Sequence, residues 1–409
     1  MIDKADTMFL LICTVAILMM IPALEILCNG SGERRRSTDG QIWISLSVVV
    51  VIWMLFGFSQ AYGTDHIGLF GGGEYLLLKN VSCFPIASFG ETIPPLAFFM
   101  LQTVMGSIAV ALVTVSARLG RKAYLLFVVL WSVFCYIPLV HMIWGGGLLA
   151  QIGFMDYGGG AVIHICAGAS ALAAGLFIGK KEPAGNRFGE SENGGIALAI
   201  LLFGWVFCNS GRGIGNGSAF LYAAVNSVLS AAAGMLAWYI LAMVRNREEG
   251  FLSIQRGGLS GLAGIAACAA YVSPLCAFAI GVIVSSVCYC CMYMKEFFPS
   301  AYGREIWIPH GIGGLVGTIL LGIFADPVYC MMPYARGKRL ILQAGGAYAV
   351  VVVAFVVTWL ILLVISRMVS AYVAEEEEQR IGKQILEERK RCLVKRKKVD
   401  FRLLKKNCV

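Results

Sequence analysis

Asp156-Tyr-Gly-Gly-Gly-Ala-Val-Ile-His164-Ile-Cys-Ala-Gly168-Ala-Ser-Ala-Leu-Ala-Ala-Gly-Leu-Phe-Ile178 is an apolar run with one histidine set inside it. A run of this kind reads as a helix crossing a bilayer, since about 20 predominantly apolar residues span the hydrocarbon core. A titratable side chain at that depth is costly and normally marks a path or a relay. A second run, Pro309-His310-Gly-Ile-Gly-Gly-Leu-Val-Gly-Thr318-Ile-Leu-Leu-Gly-Ile-Phe-Ala325, repeats the pattern. Of the other two histidines, His66 falls in a Gly-rich loop and His141 at the end of an apolar segment. His164 and His310 therefore need a common explanation.

The rest of the chain has the same character. Its 409 residues are 58% hydrophobic and 14% charged, with a mean hydropathy of +0.77, which excludes a soluble globular protein. Apolar runs recur near 8–28, 42–62, 94–116, 123–143, 157–179, 195–211, 218–243, 258–272, 275–294, 308–325 and 341–366. They are continuous rather than alternating, so they predict an all-α polytopic membrane protein of about eleven spans, not a barrel. The first span begins almost at Met1 and is long enough to cross, so it reads as a retained helix rather than a cleaved signal.

Lysine and arginine placement sets the expected orientation. Arg34-Arg35-Arg36, Arg118/Arg121/Lys122, Lys180/Lys181/Arg187, Arg245/Arg247 and Lys295/Arg304 mark alternate loops; Arg336-Gly-Lys338-Arg339 is the exception. The N-terminus is expected outside and the C-terminus in the cytoplasm, in a plasma or inner membrane. His164 falls on the fifth span and His310 on the tenth. Two five-helix halves, each with an odd number of crossings, have opposite orientations, and such inverted repeats place a substrate path near the midplane between them. Forty-eight glycines predict close helix packing. Most of the fourteen cysteines lie inside predicted helices, and Cys288, Cys290 and Cys291 read as small packing residues. No disulfide framework, metal site or cofactor is expected.

Residues 1–370 read as the transmembrane domain and 371–409 as a charged cytoplasmic tail. The acidic run Glu375 to Glu378 precedes Arg389-Lys390-Arg391 and Lys395-Arg396-Lys397-Lys398, with Ile381, Ile385, Leu386 and Leu393 as a thin apolar stripe. The tail carries most of the net +9, so the charge points to anionic headgroups of the lipid bilayer and not to nucleic acid. A signalling or trimerising stalk is the alternative for this segment.

Several motifs in register are similar to the ammonium transporter family, Amt/Mep/Rh. They are the two histidine segments quoted above, Ile137-Pro138, His141-Met-Ile-Trp144-Gly-Gly-Gly-Leu-Leu-Ala150, the opening Asp3-Lys4-Ala5-Asp6, and Lys79-Asn80. The resemblance covers residues 1 to about 370 and implies a homotrimer with one pore per subunit. It assigns the proton relay to His164 and His310, the outer cation face to Trp144, the mouth carboxylate to Asp156 and an aromatic lining of the mouth to Phe99. Ammonium matches potassium in size and charge but can release a proton, so an apolar pore with two neutral imidazoles selects it as ammonia. A tryptophan face holds a cation with roughly 0.5–2 kcal/mol.

Other matched positions depart from the family pattern. The stacked phenylalanine gate falls on Thr103 and Cys208, and the small hydroxyl residue at the mouth falls on Arg212. A fixed positive charge there repels ammonium unless Asp156 pairs with it; alternatively the guanidinium occupies the aromatic site itself. The inner aromatics after Ile21-Pro22 are replaced by Leu27 and Cys28, with Glu25 nearby. The tail lacks the Gly-Leu-Asp and His-Gly-Glu elements through which the family docks a PII regulator, which puts that partner in doubt. The expected function is membrane transport of ammonium; the alternative is an ammonium sensor on the same fold, with reduced conduction and signalling through the tail. An enzyme is not expected, since no HExxH pattern or acidic cluster accompanies the histidines.

Overall fold

The apolar runs fold as helices because a backbone in hydrocarbon must satisfy its own hydrogen bonds. The computed structural model describes residues 2–29, 40–86, 89–117, 119–179, 193–213, 217–247, 250–294, 301–330 and 336–369. Ten helices there are long and apolar enough to cross a membrane: α1 (Lys4–Leu27), α2 (Gln41–Tyr62), α3 (Pro95–Thr114), α4 (Lys122–Gln151), α5 (Gly160–Phe177), α6 (Gly194–Gly211), α7 (Ala219–Val244), α9 (Pro274–Met292), α10 (Gly303–Phe324) and α11 (Arg336–Met368). Between α7 and α9 lies α8 (Phe251–Ala266). The chain is a multi-pass helical membrane protein.

The expected eighth span, 258–272, needs correction. The helix begins at Phe251 and the chain turns after Ala266. Hydropathy assigns Arg256 to a loop, but the structure carries it inside the helix, where its Nε donates to Glu305 Oε2 of α10 at 3.0 Å. A buried charge is tolerated when a partner neutralises it, and no hydropathy window sees that partner.

Caps and turns set the helix ends. Asp3 accepts the Ala5 and Asp6 backbone N–H groups at 2.8 and 3.0 Å ahead of α1. Ser273 caps α9 before Pro274, whose missing N–H costs nothing at that position. Among the described residues, four helices contain a π turn, at Trp53–Gly57, Ser132–Tyr136, Gly160–Ile165 and Trp307–Ile312. Between α2 and α3 a short antiparallel pair, β1 (Asp65–His66) and β2 (Phe70–Gly71), sets Asp65 opposite Gly71. The tail from residue 371 lies outside the described residues, as do Arg34–Arg36, Lys180, Lys181, Arg187 and Lys295.

Glycine lets α5 and α10 approach to backbone contact. A Cβ on Gly168 would fall against the Cα and N of Gly311, atoms that cannot swing aside. Around them a buried polar clamp joins three helices: Trp131 Nε1 on α4 donates to Ser170 Oγ on α5 at 2.9 Å, and Thr358 on α11 bonds the same hydroxyl at 2.8 Å. Such bonds in a bilayer contribute about 1 kcal/mol each. Gly168→Val is expected to cost at least about 1–3 kcal/mol by overpacking. The check is a lower unfolding midpoint of the detergent-solubilised protein; an unchanged midpoint would show that α5 and α10 do not meet here.

Candidate functional site

The same crossing brings the two histidines together. Gly168 lies one helical turn after His164, and Gly311 follows His310 directly. Both histidines sit in π turns, which insert one extra residue and re-aim the side chains around them. Both side chains are buried, with Nδ1 atoms 3.4 Å apart and ring centroids 5.4 Å apart. Trp205 of α6 lies against the pair, its ring 4.7 Å from His164 and 5.7 Å from His310, nearly parallel to the latter at 4°. Sequence reasoning missed Trp205. Its signal was its position three residues before Cys208 and seven before Arg212, on one face of α6.

The start of α5 builds the next group. Its first free backbone N–H groups are taken by Asp156, whose carboxylate accepts from Gly159 at 3.0 Å, Ala161 at 2.9 Å and Val162 at 2.8 Å. Burial pushes the Asp156 carboxyl above its ordinary range, opposed by those three N–H donors and by the Arg212 guanidinium. Tyr157 and Gly158 donate to Ala267 O and Ala266 O, tying this turn to the end of α8. Trp144 Nε1 donates to the Asp156 backbone carbonyl at 2.6 Å, which fixes the indole beside the same turn.

Arg212, just past the end of α6, reaches into this group. Its Cζ lies 4.1 Å from the centroid of the Trp144 ring, and its Nε donates to Tyr157 O at 3.2 Å. The guanidinium thus takes the indole face, while the Asp156 carboxylate is engaged by backbone N–H groups. Of the two arrangements open at this position, the tethered cation on the aromatic face is the one adopted.

The remaining mouth and gate positions singled out in the sequence lie on α3 and α6. Cys208 and Thr103 are buried; Thr103 Oγ1 donates to the Phe99 backbone carbonyl at 2.7 Å. Phe99 is half-buried, its ring edge-on to Phe58 at 5.4 Å, in an aromatic cluster that includes Tyr62 and Phe98. Trp205, Cys208 and Arg212 follow one another along a single helix face, so the guanidinium and the histidines are separated by roughly 10 Å of helix rise. At the other end Leu27 is buried, and Glu25 accepts Trp43 Nε1–H at 2.9 Å. Cys288 Sγ donates to Ile308 O at 3.2 Å, a packing role next to the His310 turn. No group of three metal-ligating side chains converges among the described residues.

The chain as a whole is similar to known proteins. An ammonium transporter from Aquifex aeolicus is 30% identical over 92% of this chain and 91% of its own length. The crystal structure of Candida albicans Mep2 superposes with a TM-score of 0.81 at 25% identity, covering 90% of this chain and 85% of that one. A Sensor Amt Protein shares the fold, with a TM-score of 0.83 at 22% identity over 92% of this chain and 96% of its own. The model of the Ammonium Transporter Family matches residues 8–389, which takes in both histidine turns and all spans but the first turn of α1. With helix order, histidine crossing and near full-length similarity in agreement, the chain belongs to the Ammonium Transporter Family.

Proposed function

We propose that this protein carries ammonium nitrogen across the membrane as ammonia and a proton, along a path past Trp144 and Cys208 to His164 and His310. The apposed, buried imidazoles carry this reading. With Nδ1 facing Nδ1, one ring donates and the other accepts, so one outer Nε2 holds a lone pair while the other holds a proton. A proton taken up at the first and released at the second reverses both tautomers. Two imidazoliums this close in an apolar site would repel strongly, so the pair moves one proton at a time. The buried Trp205 ring lies against both imidazoles. The proposed assembly is a homotrimer, N-terminus outside, with residues 1–370 as the conducting domain and 371–409 as a cytoplasmic tail.

One observation favours a second reading. The guanidinium of Arg212 occupies the indole face that would hold the incoming cation. A mouth of this kind suits an ammonium sensor on this fold, with conduction held low and the tail passing the signal. Vesicles reconstituted with the full chain decide between the two: an ammonium concentration jump is expected to give a proton-linked inward current. Saturable ammonium binding without current would overturn transport and leave sensing.

A further inference from the structure

Arg336-Gly-Lys338-Arg339, the cluster that breaks the charge bias of the loops, forms the first turn of α11. Arg336 and Lys338 are exposed, but Arg339 is turned inward and only 5% exposed. Its Nε and Nη1 are buried and meet no hydrogen-bond partner. Among the described residues no carboxylate pairs with it. A guanidinium stays protonated in proteins, so it cannot shed its charge to suit a dry site. A buried charge left uncompensated is strongly destabilising.

Backbone contacts fix the surroundings of this side chain. A Cβ on Gly322 of α10 would meet Leu340 Cα at 2.7 Å and Arg339 O at 3.2 Å, so the two helices touch beside the arginine. One turn on, on the same face of α11, Gln343 Nε2 donates to Met155 O at 2.9 Å and its Oε1 accepts the Met155 N–H at 3.2 Å. Met155 precedes Asp156, whose backbone carbonyl holds the Trp144 indole. Arg339 therefore sits at the mouth end of the bundle, on the α11 face that meets α10 and the turn into α5. The opposite side of α11 is the exposed one, with Ile341 and Tyr348. Helical side chains lean toward the helix N-terminus, so the guanidinium reaches back over the first turn of α11. The positive end of the helix dipole lies there as well. Charge, burial and direction favour an anion, and the enclosing helices favour a small one.

We propose that Arg339 and the first turn of α11 bind one small inorganic anion of the halide class at the mouth end of the protein. The anion supplies the missing counter-charge and joins α11 to the end of α10 and the Met155 turn. A lipid phosphate carries the same charge, but its acyl chains belong on the exposed side of α11, whereas Arg339 faces the interior.

Two measurements on the full chain test this. The first is the unfolding midpoint of the detergent-solubilised protein as chloride replaces gluconate at constant ionic strength. In the wild type the midpoint is expected to shift upward and then saturate, as it does for a ligand that binds only the folded state. In Arg339→Met, which keeps an unbranched chain in the same space, the chloride dependence is expected to be lost. A wild-type midpoint indifferent to chloride, or one that rises equally in Arg339→Met, would overturn the proposal. The second measurement uses the wild type alone, so it decides even where the variant does not fold. Crystals grown in bromide are expected to show one anomalous peak in contact with the Arg339 guanidinium. The absence of that peak, or a lipid phosphate in its place, would refute a small-anion site. Neither readout needs ammonium or current, so the outcome is separate from that of the vesicle experiment.

Discussion

Replacing His164 and His310 together with alanine is expected to reduce ammonium-driven current in vesicles to background, a loss of about 10²–10⁴-fold, the usual contribution of a positioned proton-transfer group. The physical reason is the lack of any substitute. Around the Nδ1–Nδ1 contact lie Trp205, Gly168 and Gly314, none of which can take up a proton in a ring's place. The single changes are expected to be nearly as damaging as the double, because a relay of two members fails when either is absent. Equal monodispersity of wild type and variant separates lost conduction from lost folding. A double variant that keeps its current would refute the relay outright.

Arg212→Ser is expected to act in the opposite direction. The guanidinium lies 4.1 Å over Trp144, so an arriving ammonium ion must displace it as well as bind. A resident cation on the indole face competes for a contact of roughly 0.5–2 kcal/mol, and like charges about 4 Å apart repel by about 4 kcal/mol at a partly buried site. Removing it is expected to raise apparent ammonium affinity by about tenfold to a hundredfold, measured by the concentration dependence of current or binding. Arg212→Gln, which keeps most of the side-chain bulk but not the charge, is expected to share the effect, and Arg212→Lys to show little of it. If serine and glutamine leave affinity unchanged, the guanidinium moves off Trp144 without cost. A rise in binding with no current in any variant would place this chain with the sensors.

Much of this was legible in the linear chain. Helix order and class follow from hydropathy alone, since the bilayer admits almost nothing but a self-satisfied helix. The histidine segments stood out because titratable residues in such runs are rare. The exception is instructive. Arg256 moved the expected start of the eighth span, because a window average charges the arginine in full and cannot credit the Glu305 carboxylate brought to it from α10. Trp205 was missed for a similar reason: a tryptophan in an apolar helix is ordinary until two imidazoles are found against its face.

By itself the sequence determined that the chain is a multi-pass helical membrane protein, that two of its apolar helices each carry a histidine, and that Arg212 stands where the family pattern has a small hydroxyl residue. Each depends on composition along one helix, and the membrane acts on one helix at a time. Only the tertiary structure decided that the histidines face each other through Gly168 and Gly311 and that Arg212 takes the indole and not Asp156. Those outcomes depend on how far two helices approach and how a π turn rotates their side chains, and both arise only when separate segments pack together.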